Sequence, residues 1–523
     1  MAYKLNGTEA LGIELGSTRI KAVLIDADFN PIASGSYTWE NKYENGIWTY
    51  HMDDVIKGLQ GAYSDLNSEC KEKFGSPISA LSSLGISAMM HGYLPFDKDM
   101  NRLSEFRTWR NTITAEASKK LTELFDFNIP QRWSIAHFYQ AILNGEEHTK
   151  SVAHLTTLAG YVHYLLTGEF AVGIGEASGM FPIDSAKNNY NSEMLAEFNA
   201  LPEIEALGIK AENILPRVLL AGENAGMLTE SGAALLDVSG NLKSGIPMAP
   251  PEGDAGTGMV ATDAVAVKTG NVSAGTSIFS MVVLEKQLSR VYEEIDMVTT
   301  PDGKPVAMVH CNNCCTDLDY WVNLFSQFSS AIGNEMKKSE LYDLLYEAAL
   351  YGASDAGGLV NINYFSGEPV SHTTDGVPMF LRTKGAEFNL ANFMRAQIYS
   401  AVATLKIGME ILDNEGVKID CLMGHGGLFK TERVGQALLG GALDTPVAVM
   451  ETAGEGGAWG MAVLAKYSVD NSLPLAEYLS DKVFKNAKRK TLEPNAEDVE
   501  GFKAYMTRHK AALKAEIEAY KNL

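Results

Sequence analysis

The sequence predicts an α/β protein made of two related domains, and three observations carry that expectation. The first is an apolar run, Leu11, Ile13 and Leu15, that meets the turn Gly16-Ser17-Thr18 and returns as Ile20, Ala22, Val23, Leu24 and Ile25. Two β-rich runs around such a turn read as a hairpin. The second is a related pattern far along the chain: Ala264 to Gly270, then Val272-Ser273-Ala274-Gly275-Thr276-Ser277, then Ile278 to Val283. A recurrence at so long a period points to related domains, because solenoid repeats run about 20 to 50 residues. The third is the alternation of strand-like and helix-like segments along 523 residues, a length that suits more than one domain.

Taken in order, the elements support the same class. After the first hairpin, Asp53 to Leu66 has helical periodicity, and Ile78 to Met90 reads as a strand ending at Met90-His91-Gly92. Leu155 to Leu166 is helical and stops at Thr167-Gly168-Glu169, while Leu201 to Arg217 reads as loop. Ile246 to Asp254, with its prolines and glycines, is a rigid and then tightly turning seam before a helix from Ala255 to Ala261. Domains are accordingly expected at 1–262 and 263–523. In the second half, Pro301-Asp302-Gly303-Lys304 is a turn between strands, and Leu318 to Phe328, Leu341 to Leu350 and Asn389 to Leu412 are helices. Cys421-Leu422-Met423 is a short buried strand, and Gly424-His425-Gly426-Gly427 a loop. Glu455 to Lys466 is a Gly/Ala-rich helix, and Asp498 to Leu523 an amphipathic peripheral one.

Composition narrows the function. Apolar residues make up 46% and charged residues 21%, ordinary globular values. A formal net charge of −22 argues against nonspecific binding to nucleic acid or to an anionic membrane. It also requires that any phosphate site be made locally positive by backbone N–H groups, helix N-termini and Mg²⁺. Five cysteines, an odd number, do not form a disulfide framework. No N-terminal signal pattern and no apolar run of membrane-spanning length is seen, so a soluble cytoplasmic chain is expected.

Several constellations bear chemistry. At the tip of the first hairpin, backbone N–H groups and the hydroxyls of Ser17 and Thr18 can surround an anion. Glu14 and Lys21 lie on its two arms, one suited to Mg²⁺ and the other to phosphate; an ordinary polar turn is the plainer reading. Gly275-Thr276-Ser277 repeats the pattern. Asp254 sits at a helix start in Glu252-Gly253-Asp254-Ala255-Gly256, where a carboxylate could take a proton from an alcohol or serve as an N-cap. Gly424 to Thr431 can let a nucleoside ring lie against the backbone, or can simply turn. Met90-His91-Gly92 and Trp109-Arg110-Asn111 place donors, acceptors and an aromatic face at strand ends, as sugar binding wants; a structural histidine is the alternative. Cys311 and Cys314, a Cys-x-x-Cys pair, could formally supply four zinc ligands together with Cys421 and His425, though small buried thiols near a helix start fit better.

These residues carry a family resemblance. The paired hairpins resemble the actin, Hsp70 and sugar-kinase superfamily, and the chain from about residue 11 to 466 resembles the FGGY carbohydrate kinases, its motif order being most similar to the xylulokinase branch. Gly12 to Lys21 resembles the first phosphate motif, and Gly85 to Gly92 the sugar-site strand. Leu166 to Glu169 and Glu176-Ala177-Ser178-Gly179 resemble two further motifs. Glu252 to Ala255 resembles the motif whose aspartate is the catalytic base. Gly275-Thr276-Ser277 resembles the second phosphate motif, Phe365 to Glu368 another short signature, and Gly424 to Thr431 the adenosine motif. Four departures stand out: Glu14 where an aspartate is usual, Trp109-Arg110-Asn111 in place of W-N-D, His137 where lysine is usual, and His425 within a glycine run.

The resemblance implies two actin-like, ribonuclease H-like domains with an ATP and sugar cleft between them. It implies ATP-dependent phosphorylation of a sugar hydroxyl, a ketopentose such as xylulose first and another ketose or a polyol next, with ATP and Mg²⁺ as cofactors. Asp254 becomes the base. Met90, His91, Gly92, Trp109, Arg110, Asn111 and Asp254 bind sugar. Gly16, Ser17, Thr18, Lys21, Gly275, Thr276, Ser277, Gly426, Gly427 and Thr431 bind ATP, and Glu14 with Asp254 holds the metal. Partners are the sugar and ATP, without nucleic acid or membrane, a homodimer being allowed. A nucleotide-driven chaperone-like ATPase and a sugar-sensing regulator are the rival classes. The polar strand-end cluster argues against the first and Asp254 against the second.

Overall fold

The computed structural model describes residues 3–450 and 456–523. Its contacts divide the chain into two compact units: Met1–Val265 with Met297–Val306 and Glu455–Asn486, and Ala266–Asp296 with Ala307–Gly454 and Ala487–Leu523.

In the first unit, β1 (Ala10–Leu15), β2 (Arg19–Ile25) and β3 (Pro31–Thr38) form an antiparallel meander. A small hairpin follows, β4 (Lys42–Glu44) with β5 (Ile47–Thr49), and then α1 (Met52–Phe74), which extends well beyond the expected Leu66. Strand β6 (Ser83–Ala88) pairs in parallel with β1. It starts later than the sequence suggests, because Ile78 is tied by its N–H to Asn67 Oδ1 of α1 rather than to a ladder. Helices α2 (Ser134–Leu143) and α3 (Leu158–Thr167) precede the two-residue strand β7 (Glu252–Gly253) and α4 (Asp254–Ala261). The sheet order is β7-β6-β1-β2-β3.

Leu11, Ile13 and Leu15 of β1 are fully buried. Burial of each such side chain stabilises the fold by about 1.5–3 kcal/mol. The sheet is covered closely enough to demand glycine: a Cβ on Gly12 would lie 2.1 Å from Ala458 O, in helix Gly456–Val469. The expected helix from Glu455 is thus present from Gly456, Glu455 itself lying outside the described residues. The segment expected as loop, Leu201 to Arg217, instead contains helices Pro202–Leu207 and Ala211–Ile214. Pro202 suits a first helical position and Gly208, at φ 68°, ends the turn left-handed.

The second unit repeats the pattern. Strands β8 (Thr269–Ala274) and β9 (Ile278–Val283) form an antiparallel hairpin. Helices α5 (Thr316–Ala331), α6 (Lys338–Ala349) and α7 (Leu390–Asn414) follow; Asn389 caps α7 by accepting the Asn392 N–H. Strand β10 (Cys421–Gly426) pairs in parallel with β8; then come α8 (Val434–Leu443) and β11 (Val447–Met450), parallel to β10. Both units therefore share one arrangement, a hairpin whose first strand is followed, on the side away from its partner, by two later parallel strands. Strand β12 (Arg489–Leu492) runs antiparallel to β11, and α9 (Ala496–Asn522) closes the chain.

Two expectations are corrected here. The glycines after Met423 are not loop: β10 continues to Gly426, which pairs with Ala274. The C-terminal helix is not peripheral, because Phe502, Tyr505, Met506 and His509 are buried. Among the described residues, no helix is long and apolar enough to cross a membrane.

Candidate active site

Each hairpin tip is fixed by its carbonyls. At the first tip, Trp39 Nε1 donates to Gly16 O at 2.7 Å, Tyr50 Oη to Ser17 O at 2.6 Å, and the Trp39 N–H to Thr18 O at 3.2 Å. At the second, Cys315 N donates to Gly275 O, Cys314 N to Thr276 O, and Gly275 N to Ser277 O, at 3.0, 3.0 and 2.9 Å. All three successive carbonyls in each turn are engaged by donors of their own unit. A carbonyl oxygen would repel an anion, so turning these dipoles into the fold leaves each tip with its hydroxyls and without carbonyls that would oppose an anion. Thr18 and Thr276 are exposed there. The sequence analysis did not pick out Trp39 and Tyr50 as the locks; the one signal that could have was the aromatic cluster that follows the glycine turn.

Room at the second tip is explicit. A Cβ on Gly275 would meet nothing within 4 Å, and one on Gly427 only Ala274 O at 3.8 Å. Gly426 differs: its φ is 97° and a Cβ would fall 2.4 Å from Ala274 O, so this position demands glycine. Thr431, expected at ATP, is buried and donates its hydroxyl to Asp343 Oδ1 at 2.8 Å, which ties the turn to α6. Burial pushes His425 down to about 4, so it is neutral.

Asp254 is the first residue of α4, with Gly253 in the N-cap position, so the cap reading is corrected. Its Oδ1 accepts the Met90 N–H at 3.1 Å and the Ala255 N–H at 3.0 Å. Burial raises its pKa above the ordinary 3.8 while those N–H groups oppose the rise. Glu14 accepts the Ala458 N–H at 3.1 Å and pairs in register with Lys21 across β1 and β2. Burial first, and then the charge of Asp254, push Glu14 up to about 7, against the pull of Ala458 N–H and Lys21. Two further acids lie behind Asp254. Glu252 accepts the N–H groups of Gly175 at 3.3 Å and Glu176 at 3.0 Å, and burial pushes it up to about 8. Burial pushes Glu176 well above the carboxylate range. Burial thus disfavours the charged form of both acids next to Asp254.

The polar strand-end cluster is assembled from several segments. His91 is buried with φ 72°, a left-handed conformation that costs a non-glycine residue on the order of 1–2 kcal/mol. Its Nδ1 lies 3.3 Å from Gly179 O and its ring stacks with that of Trp133. Gly92 follows at φ 101°, its carbonyl accepting from Ser134 Oγ at 2.6 Å. Trp109 Nε1 donates to Ser17 Oγ at 3.4 Å, which joins this cluster to the first tip. Arg110 is exposed and lies over the Trp48 ring, 4.1 Å from its centroid.

Asn111 has another role than the one expected. It is buried, its Oδ1 accepts the Trp48 N–H at 2.8 Å, and its Nδ2 donates to Trp48 O at 2.8 Å and Thr108 O at 2.9 Å. Both amide protons are committed to backbone, so the side chain clamps β5 rather than reaching for sugar. His137 is buried in α2 and neutral, its pKa pushed down to about 3 by burial and then by Arg107. The zinc reading fails. Among the described residues, no group of three or more His, Cys, Asp or Glu side chains could hold a metal. Cys314 and Cys315 act at the second tip through their backbone N–H groups.

Comparison with known proteins agrees with this architecture. Residues 10–260 match the N-terminal domain, and residues 270–469 the C-terminal domain, of the FGGY family of carbohydrate kinases. A xylulose kinase of Haemophilus influenzae is 22% identical over 423 residues, covering 78% of this chain and 80% of that protein. An L-fuculokinase of Escherichia coli is 24% identical over 250 residues, covering 46% of this chain and 49% of its own. Among solved structures, one titled a xyloylose kinase from Brucella ovis superposes with a TM-score of 0.78 at 19% identity, covering 97% of this chain and 99% of its own. The fold is the two-domain actin-like, ribonuclease H-like one of those structures.

Proposed function

We propose, because the chain belongs to the FGGY family of carbohydrate kinases, that it transfers the γ-phosphoryl group of ATP to a hydroxyl of a small sugar, with Asp254 as general base. The observation that carries this reading is the aim of Asp254. The bonds from Met90 and Ala255 both fall on Oδ1, so Oδ2 is the oxygen left to receive the hydroxyl proton as phosphorus is attacked. The N-terminus of α4 favours the ionised form against burial. The bond of Met90 N to Asp254 ties the segment after β6 to the base, and the contact of His91 with Gly179 O holds the next residue in place. A sugar hydroxyl held by His91 would lie on the same short segment.

The residues fit Mg²⁺ and a polyphosphate. Glu14 and Asp254 raise one another's electrostatic cost, and a divalent cation relieves that cost; Mg²⁺ commonly takes one or two carboxylates together with substrate phosphates. When bound, it neutralises charge on the β- and γ-phosphates. Each tip taken by itself offers hydroxyls and N–H groups suited to phosphate oxygens, from Ser17 and Thr18 at the first and from Thr276 and Ser277 at the second, and Lys21 is a cation on the arm of the first. Electrostatic stabilisation of this kind is the principal lever in phosphoryl transfer.

The xylulose kinases among the relatives make a ketopentose such as xylulose the first acceptor to try, another ketose or a polyol the next. The test is a coupled assay of ATP consumption with Mg²⁺ against a panel of ketoses, aldoses and polyols. The reading expects ADP formation that depends on one of these acceptors. Hydrolysis indifferent to every sugar would instead place the chain with nucleotide-driven ATPases.

A further inference from the structure

Two thiols meet beside the second tip, and phosphoryl transfer has no use for them. Cys314 and Cys315 are neighbours in sequence, and their Sγ atoms lie 3.5 Å apart. All five cysteines of the chain carry free thiols. Cys314 is buried, whereas Cys315, at the N-cap position of α5, is 9% exposed, so a small oxidant reaches Cys315 first. The contact with Cys315, and then burial, hold the Cys314 thiol well above its ordinary 9.0. That thiol keeps its proton until a partner sulfur is activated beside it.

The peptide joining the two cysteines is also the one that locks the tip. Its N–H, from Cys315, donates to Gly275 O at 3.0 Å, and its carbonyl, Cys314 O, accepts from Asn363 Nδ2 at 3.0 Å. The preceding N–H, of Cys314, donates to Thr276 O at 3.0 Å. Both flanks are anchored. Asn313 donates to Glu368 Oε1 through its N–H and its side chain, at 3.1 and 3.0 Å, and the Asp319 N–H donates to Cys315 O at 3.0 Å. Neighbouring Cα atoms stand about 3.8 Å apart across a trans peptide, which this one is. An unstrained disulfide needs about 4.4–6.8 Å. A bond between these sulfurs therefore closes only if their shared peptide turns. With the flanks held, the bonds that give way are those to Gly275 O and Thr276 O. The freed carbonyls can then face the tip, where they oppose an anion. Strain also makes such a disulfide easy to reduce, so the change is reversible.

We infer that Cys314 and Cys315 form a dithiol switch, which a peroxide oxidises to a vicinal disulfide that releases the lock on the second tip. Its effect on nucleotide rests on the ATP reading above; formation of the bond does not. In the first step the Cys315 sulfur takes one oxygen of hydrogen peroxide, giving a sulfenic acid and water. The Cys314 sulfur then displaces that oxygen, the S–S bond forms, and the Cys314 proton leaves with the departing hydroxide as a second water. The two sulfurs supply two electrons, and the O–O bond accepts them.

The test treats the full chain with hydrogen peroxide, then with a dithiol reductant, and reads intact mass, alkylation and amide exchange. The oxidised chain should lack two hydrogens and resist alkylation at Cys314 and Cys315, and the reductant should reverse both. Amides of the segment holding these cysteines should exchange roughly tenfold faster once oxidised, as their bonds to the tip are lost. A nonhydrolysable ATP analogue should bind the oxidised chain about tenfold more weakly by calorimetric titration. Cys314→Ser and Cys315→Ser, each compared with itself before and after peroxide, should form no disulfide and keep slow exchange. Cys311→Ser should behave as the wild type. A wild type that forms no bond between residues 314 and 315, or a bond that survives in Cys315→Ser and is lost in Cys311→Ser, overturns the inference. Oxidation that leaves amide exchange unaltered overturns it equally. A reduced chain that fails to bind the analogue counts against the ATP reading alone, and mass and exchange still decide the switch.

Discussion

Asn111 clasps Trp48 from both sides, accepting its N–H and donating to its carbonyl, each at 2.8 Å. The clamp fixes β5, on which the Trp48 ring carries the guanidinium of Arg110. Asn111→Ala leaves the Trp48 N–H without its acceptor, which costs about 1–3 kcal/mol. The expected outcome is a lower melting temperature. Asn111→Asp should also destabilise, because an acceptor would face the carbonyls of Trp48 and Thr108. Unchanged melting in both variants would contradict the clamp.

His91 is expected to touch the sugar. His91→Ala should raise the KM for sugar several-fold to about a hundredfold, the loss of one paired polar contact in a buried site. The KM for ATP should change little. Steady-state kinetics with each substrate varied in turn separates the two effects. An unaltered sugar KM would make the histidine a structural partner of Gly179 and Trp133.

Three glycines around the second tip should behave differently. Gly275→Val and Gly427→Val place side chains in open space, so both proteins should fold yet bind a nonhydrolysable ATP analogue more weakly by calorimetric titration. Gly426→Ala should instead lower stability, because its Cβ meets Ala274 O and its φ is left-handed. Equal ATP affinity in the first two variants would mark those glycines as plain turn residues.

Much of this was legible in the sequence, for local reasons. The two hairpins declared themselves because alternating apolar residues flank glycine and hydroxyl turns within a few positions. Asp254 was visible as the start of a helix after a proline-rich seam. What was not legible depends on partners distant in sequence. Asn111 looked like a ligand because Trp48, which it holds, is 63 residues away. The N–H that Glu14 accepts comes from Ala458, 444 residues on, where a glycine-rich helix packs against β1. The buried face of α9 was hidden by its many charges, most of which line the solvent side, although Glu516 is itself buried.

Glu368 makes a pH-dependent contribution to stability. Burial pushes it up to about 8 from an ordinary 4.5, although the backbone N–H and the side chain of Asn313 donate to its Oε1 at 3.1 and 3.0 Å. The folded protein therefore holds this proton more tightly than the unfolded chain. Its contribution is present in full below about 4.5 and is lost as pH rises through about 8. Glu368→Gln keeps an acceptor towards Asn313 and removes the titration. Its melting temperature relative to wild type should climb between pH 5 and about 9. A difference independent of pH would contradict the assignment.

The central claim is that Asp254 takes the proton of the attacking hydroxyl. Its most direct test is single-turnover phosphoryl transfer by Asp254→Asn, with whichever acceptor the panel identifies. The asparagine retains an oxygen for the Met90 and Ala255 N–H groups, so fold and ATP affinity should persist. The rate of transfer should fall by on the order of 10² or more. Transfer at a rate near that of the wild type would contradict the account.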